Sequence, residues 1–227
     1  MIKDIKLGIA MMRNGLNYEG ALGAILLIVV ASLLYLIFVP MPMMSGVFIA
    51  AGVLGIVQQV YTATISTMVQ SSPYKKRLRT IIPAYIAGIA MLIGNTMSLV
   101  IHWITYLRVK DNLSFIYTYL YGYDSREYAN SLIICAVFMV LFLLYMAASN
   151  VFFWQGILLG AGAWILIRFL NGKINLAFWE LSIREGIILS YIIVLLGAGC
   201  LYVLNCLIYK LEYSEVNFRG LMKRASK

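Results

Sequence analysis

The amino-acid sequence predicts an all-α, polytopic membrane protein with six transmembrane helices. Of its 227 residues, 63% are hydrophobic and 12% are charged, and the mean hydropathy is +0.89. Soluble domains average about 45 to 50% apolar and about 25% charged residues, so this composition excludes an ordinary soluble fold. The apolar residues form long uncharged runs, and about 20 such residues cross the hydrocarbon core of a bilayer. The formal charge of +9 falls between these runs, which argues against a nucleic-acid-binding face.

The chain begins with a predicted interfacial helix over residues 1–18. Its apolar residues, three and four positions apart, are Ile2, Ile5, Ile9, Met12 and Leu16. This period is typical of an amphipathic helix that lies in the membrane interface. The alternative is a solvated N-terminal segment without fixed structure.

The remainder of the chain divides into six predicted spans joined by polar segments. The spans cover residues 21–39, 44–69, 81–105, 129–148, 151–169 and 187–209. The connections are a cytoplasmic loop at 70–80, extracellular loops at 106–128 and 171–186, and a cytoplasmic tail at 210–227. Only Ser149 and Asn150 separate spans four and five, which makes these spans antiparallel neighbours. Residues 1–227 therefore form a single predicted transmembrane domain.

The distribution of Lys and Arg predicts the orientation of the chain. Twelve of the eighteen lie in the N-terminal segment, the 70–80 loop and the tail. The other six lie in or beside the two opposite loops, where acidic residues nearly balance them. Since cytoplasmic segments carry the excess of Lys and Arg, both termini and the 70–80 loop are predicted to be cytoplasmic.

Two spans carry polar residues along one face at helical spacing. They are Gln59, Thr62 and Ser66 on span two, and Asn95, Ser98 and His102 on span three. Small and polar residues commonly pack transmembrane helices against one another. Polar residues inside a membrane can also mark a substrate pathway. Both interpretations, helix packing and substrate pathway, stay open from the sequence.

No catalytic constellation or cofactor motif is found in the sequence. Cys135, Cys200 and Cys206 lie inside apolar segments without the spacing of a disulfide framework or a metal site. A GxxxxGK[ST] phosphate loop is absent, so the chain is not predicted to hydrolyse nucleotide. Ser98 and His102 lack the glycine-containing context of a rhomboid-like serine protease. The chain is therefore predicted to be a non-catalytic protein with no catalytic, cofactor-binding or metal-binding residues.

The densest cluster of charge is the 70–80 loop, which places four cations within five residues after Pro73. It follows an amphipathic N-terminus and two spans, and it precedes three spans, an outer amphipathic segment, a last span and a basic tail. This order resembles the permease subunit of ABC-2 type ABC transporters. Small bacterial members of that family have a proline shortly before a basic residue ahead of span three, and Pro73 with Lys75 and Lys76 is similar.

The resemblance implies a short cytoplasmic coupling helix in the 70–80 loop that contacts a separate ATPase subunit. The implied ATPase-contacting residues are Pro73, Tyr74, Lys75, Lys76, Arg77 and Arg79. ATP and Mg²⁺ would be bound by that partner, and a second permease copy or paralogue would complete a dimer. The implied function is outward movement of an apolar or amphipathic substrate, such as an antimicrobial or toxin peptide, across a bacterial cell membrane.

Two other functions and one simpler explanation of the charge stay open. A substrate-binding membrane module of a vitamin uptake system also has six spans and no ATPase. A non-transporting structural membrane protein is also compatible with the sequence. The basic loop by itself can be explained by attraction to membrane lipid, since a Lys or Arg near anionic headgroups gains about 1 kcal/mol.

Overall fold

The computed structural model describes residues 42–65, 67–111, 125–152 and 181–211, with single positions at 6–7, 9–10, 26, 29–30, 33 and 162. Within these residues the protein is all-helical and has no strand. The helices are α1 Pro42–Thr64, α2 Thr67–Ser71, α3 Lys75–Arg79, α4 Ile81–Asp111, α5 Ser125–Ser149 and α6 Ile183–Ile208.

Three stretches among the described residues are long and apolar enough to cross a membrane. They are Lys75–Ile101, Ala129–Ser149 and Ile183–Ile208. The described part of α1 adds a shorter apolar helix, Phe48–Thr64. The protein is therefore a helical membrane protein. Most of predicted spans one and five, of the N-terminal helix and of the tail lies outside the described residues, so the count of six spans stays a prediction.

Helices α1, α4, α5 and α6 pack into one bundle. Helix α6 lies against α5 and α4, while α1 lies against α4 and α5. The centre is filled by fully buried side chains, among them Val57, Met91, Met139, Leu143, Val194 and Leu201. Lipid tails are as apolar as these residues, so the bundle is stabilised by close van der Waals packing rather than by escape from water.

Glycines let α6 approach α5 closely at two levels. A Cβ atom at Gly186 would lie 2.6 Å from Ala129 Cβ. At Gly197 it would collide with the methyl groups of Val140, with Cγ1 only 2.7 Å away. A larger residue at either position would require the neighbouring part of α5 to shift.

The second predicted span is interrupted in the structure. Residues 44–69 were expected to form one helix, but α1 ends at Thr64 and Ile65 lies in a turn. The hydroxyl of Thr62 bonds back to the Gln58 carbonyl at 2.7 Å, and that of Thr64 bonds to the Tyr61 carbonyl at 2.6 Å. Such back-bonding by β-branched residues competes with the backbone ladder and favours the end of a helix.

The outer ends of the helices extend further than the sequence predicts. Helix α4 continues to Asp111 and α5 begins at Ser125, so both take residues from the predicted 106–128 loop. Helix α6 begins at Ile183 instead of residue 187. Ser182 and Glu185 form a capping box there: Ser182 N–H donates to Glu185 Oε2 at 2.7 Å, and Glu185 N–H donates to Ser182 Oγ at 3.3 Å.

Candidate functional site

The basic segment between α1 and α4 folds into two short helices separated by a turn at residues 72–74. Ser72 Oγ accepts a hydrogen bond from the Tyr74 N–H at 3.1 Å, and the Ser72 carbonyl accepts one from the Lys75 N–H at 3.0 Å. Pro73 fits this turn because its fixed φ suits a bend and it has no N–H to satisfy. The turn thus directs α3 back toward the start of α4.

One side of α3 is held in the bundle. Leu78 is buried in an apolar cluster with residues of α1, α2 and α4, including Val60, Val69 and Ile82. Arg79 is also buried, with 5% of its side chain exposed, and its Nη2 donates to the Leu211 carbonyl at 3.0 Å. Thr80 continues the chain into α4 and donates from Oγ1 to the Lys76 carbonyl at 2.8 Å. The short helix is therefore anchored to α4 and to the end of α6.

The other side of α3, with the turn before it, forms a basic knob on the surface. We use this name for residues 73–77. Pro73, Lys76 and Arg77 are exposed, Lys75 is half-buried, and Tyr74 is 66% exposed. The structure thus places these five predicted contact residues together on one surface, whereas the sixth, Arg79, lies inside the bundle.

Two lysines, Lys76 and Lys210, lie beside the ring of Tyr209, the residue that follows α6. Lys76 Nζ lies 5.7 Å from the centroid of the Tyr209 ring, and Lys210 Nζ lies 6.0 Å from it. Both distances are within or at the limit for attraction between a cation and an aromatic ring. The tail residue Lys210 therefore extends the positive surface of the knob onto α6.

The polar residues predicted on span three lie inside the bundle. Asn95 is fully buried and donates from Nδ2 to Ser190 Oγ of α6 at 3.1 Å. Ser98 is also fully buried and is hydrogen-bonded to Cys135 of α5. Both residues thus join α4 to its neighbours. The side chain of His102 lies outside the described residues.

The polar residues predicted on span two lie elsewhere. Gln59 and Thr62 are half-buried on α1, and the Thr62 hydroxyl bonds to carbonyls of its own helix. Ser66 lies outside the described residues.

Two polar contacts between helices were missed by the sequence analysis. Tyr61 OH donates to Asn205 Oδ1 at 2.9 Å, which joins α1 to the end of α6 in a buried position. Thr96 Oγ1 and Tyr191 OH lie 2.8 Å apart and join α4 to α6 on the exposed side. The sequence shows these polar residues within apolar runs. It does not show their partners, which depend on how each helix is rotated about its axis.

Apolar grooves run along α4 among the residues that the structure describes. The first has a volume of about 460 Å³ and is lined by α4 residues together with Val29 and Leu33 of predicted span one. The second has a volume of about 430 Å³ and lies between α4 and α6. Its lining starts at Ile81, the residue with which α4 begins, close to the basic knob.

No family model, curated protein or solved structure matches this chain. Function is therefore inferred from the geometry of its own residues. Among the described residues, no group of three or more His, Cys, Asp or Glu side chains could hold a metal ion. The anchored basic knob is the most distinctive surface that the described residues form.

Proposed function

We propose that this chain is the membrane-spanning permease subunit of an ATP-driven ABC-2 type exporter. Separate ATPase subunits would bind ATP and Mg²⁺ and supply the energy. The observation that carries the proposal is the basic knob, whose outer side is exposed while Leu78 and Arg79 behind it are buried. A protruding element fixed to membrane helices is what a soluble ATPase needs in order to move those helices.

The anchoring supports transmission of movement from the knob to two helices. Thr80 is 1% exposed and leads directly into α4. Arg79 links the same short helix to the carbonyl of Leu211, just after α6. A shift of the knob by a partner would therefore pull on the near ends of both α4 and α6. Sliding of packed helices past one another is an established form of conformational change.

The proposed substrate is an apolar or amphipathic molecule, such as an antimicrobial or toxin peptide. The interior of the described bundle is filled with apolar side chains, and its buried polar residues are uncharged apart from Arg79, which lies at the end beside the knob. The outward faces of α4 and α6 are also apolar, with exposed Ile93, Val100, Leu195 and Leu196. A pathway for such a substrate would form between this chain and a second permease copy or paralogue, with Gln59 and Thr62 as proposed lining residues.

The proposed location is a bacterial cell membrane with the knob and both termini in the cytoplasm. Twelve of the eighteen Lys and Arg residues belong to the N-terminal segment, the knob region and the tail, and such an excess is typical of cytoplasmic segments. This is also the side on which ATP is present.

The test is reconstitution of the chain with candidate ABC ATPase subunits. The variant Lys75→Glu/Lys76→Glu/Arg77→Glu is expected to lose copurification of the ATPase or the stimulation of its ATP hydrolysis. The matched control, Lys75→Arg/Lys76→Arg/Arg77→Lys, keeps the charges and is expected to retain both. Unchanged assembly and stimulated hydrolysis in the charge-reversed variant would contradict the proposal. A vitamin retained in stoichiometric amount by the purified chain would instead identify a substrate-binding module.

A further inference from the structure

The groove between α4 and α6 owes its shape to small residues between two tyrosines. A Cβ atom at Gly88 would lie 3.4 Å from Ala198 Cβ, so the two helices nearly touch at its floor. Tyr85 and Tyr202 also line the groove, and they are 42% and 44% exposed. The groove is thus an apolar surface groove between α4 and α6, with one tyrosine from each helix in its lining.

A positive surface lies beyond one end of this groove. Tyr209 follows Tyr202 by seven residues, which places both on nearly the same face of α6, two turns apart. Lys76 and Lys210 approach the Tyr209 ring to 5.7 and 6.0 Å, and both lysines are exposed. Glu185, the only acidic residue whose side chain is described, lies at the opposite end of α6.

We propose that the groove and the two lysines beside Tyr209 form a binding site for one anionic phospholipid. An acyl chain would lie along Gly88 and Ala198, and the phosphate would lie between the ammonium groups of Lys76 and Lys210. A hydrocarbon chain fits the apolar groove, whereas inorganic phosphate and soluble anions have no such chain. The two lysines favour a headgroup with a net negative charge, because basic pockets between transmembrane helices attract anionic lipids. The site depends only on the membrane location of the bundle and not on the proposed transport function.

The headgroup is tested by native mass spectrometry of the delipidated protein with equimolar phosphatidylglycerol and phosphatidylethanolamine. One phosphatidylglycerol per chain is expected to remain bound preferentially. In Lys76→Gln/Lys210→Gln its affinity is expected to fall by about thirtyfold, because each lysine near an anionic headgroup contributes about 1 kcal/mol. The control Lys75→Gln/Arg77→Gln removes the same charge from the knob and is expected to retain the lipid. Equal binding of the two lipids, or an equal loss in both variants, would overturn the proposal.

The groove is tested separately with two Gly→Leu variants of α4 and α6. Gly88→Leu fills the groove and is expected to lose the bound lipid. Gly199→Leu is the control, because Gly199 is exposed, has no atom within 4 Å of an added Cβ and does not line the groove. Thermal unfolding shows whether each variant is folded. Retention of the lipid by folded Gly88→Leu would overturn the assignment of the groove.

A measurement on the unmodified protein covers the case in which Gly88→Leu does not fold. Phosphatidylglycerols with long and short acyl chains compete for the same lysines but fill the groove to different extents. The long-chain lipid is expected to bind severalfold more tightly, since its acyl chain makes more van der Waals contacts along the groove. Equal affinity for both chain lengths would show that only the lysines are engaged and would overturn the proposal.

Discussion

Arg79 donates a hydrogen bond from Nη2 to the carbonyl oxygen of Leu211 at 3.0 Å, across 132 residues of sequence. Arg79 is the last residue of α3, and Leu211 follows the last turn of α6. The helix dipole makes the carbonyl end of a helix partly negative, so a cation beside the end of α6 is favoured. The buried Arg79 guanidinium supplies that cation. The contact therefore connects α3, which carries part of the basic knob, to the segment that directly follows α6.

Replacement of Arg79 is expected to weaken the folded state. Arg79→Ala removes a charged hydrogen bond and the packing of the side-chain stem, so the free energy of unfolding should fall by about 2 kcal/mol. Reversible unfolding in mixed detergent micelles measures this change. Arg184→Ala removes an exposed arginine at the opposite end of the bundle and should stay within about 0.5 kcal/mol of the unmodified protein. Equal effects of the two substitutions would show that the Arg79 contact does not stabilise the bundle.

The contact between Tyr61 and Asn205 is expected to contribute a measurable coupling energy. Tyr61→Phe removes the donor to Asn205 Oδ1, and the Asn205 Nδ2 has no hydrogen-bond partner among the described residues. Hydrogen bonds between membrane helices average about 0.6 kcal/mol and reach about 1.7 kcal/mol. The free energy of unfolding that Tyr61→Phe loses should lie toward the upper value, because the Asn205 oxygen would remain buried without its Tyr61 donor.

A double-mutant cycle isolates this coupling. Asn205→Leu alone leaves the Tyr61 hydroxyl without its acceptor, whereas Tyr61→Phe/Asn205→Leu removes both polar groups. The double variant should therefore be more stable than the sum of the two single losses predicts, by about 1 kcal/mol. Strictly additive losses would mean that the two side chains do not stabilise each other.

The sequence predicted the positions of helices better than their ends. Helix α4 begins at Ile81, as expected, because the charges before it set a clear boundary for the apolar run. The break after Thr64 was missed because Ile65 and Ser66 are compatible with an apolar helix by hydropathy alone. Hydroxyl groups that bond back to carbonyls favour an end of the helix here, and a hydropathy pattern does not measure them.

The side-chain contacts of the candidate site were beyond sequence analysis for a related reason. The charge cluster identified Lys75, Lys76 and Arg77 as surface residues, since cations are costly within a bilayer. The inward direction of Arg79 depends on the position of Leu211, which only the packing of α3 against the end of α6 determines. Likewise, a polar residue such as Asn95 signals a partner within the membrane but does not identify Ser190 as that partner.

Alanine substitution at two glycines of α6 is expected to have different effects on the free energy of unfolding. Gly197→Ala places a methyl group against Val140 and should cost about 1 to 3 kcal/mol through overpacking. Gly199→Ala adds a methyl group in open space and should be neutral or stabilising by up to about 1 kcal/mol, as alanine favours a helix. Unfolding of both variants in the same micelles gives the comparison. Val140→Ala should partly restore the stability of Gly197→Ala, and no restoration would place the strain elsewhere.

The start of α6 is expected to depend on the hydroxyl of Ser182. Ser182→Ala removes the acceptor for the Glu185 N–H and should cost about 1 kcal/mol. Amide hydrogen exchange should then become faster in the first turn of α6, between Ile183 and Gly186, while the middle of the helix is unchanged. Ser182→Thr preserves the hydroxyl and serves as the control. Unaltered exchange in Ser182→Ala would mean that packing of Gly186 against Ala129 alone holds this end.

The two ends of α6 are expected to lie on opposite sides of the membrane. At about 1.5 Å per residue, its 26 residues extend roughly 39 Å, which exceeds the hydrocarbon core of a bilayer. Arg184 is exposed at one end, and the contact of Leu211 with Arg79 places the knob residue Tyr74 near the other. In a chain without its native cysteines, Tyr74→Cys should react with a membrane-impermeant maleimide only in inside-out vesicles. Arg184→Cys should react only in intact cells. Reaction of both from one side would show that α6 does not cross the membrane, and the reverse pattern would place the basic knob outside, away from any ATPase.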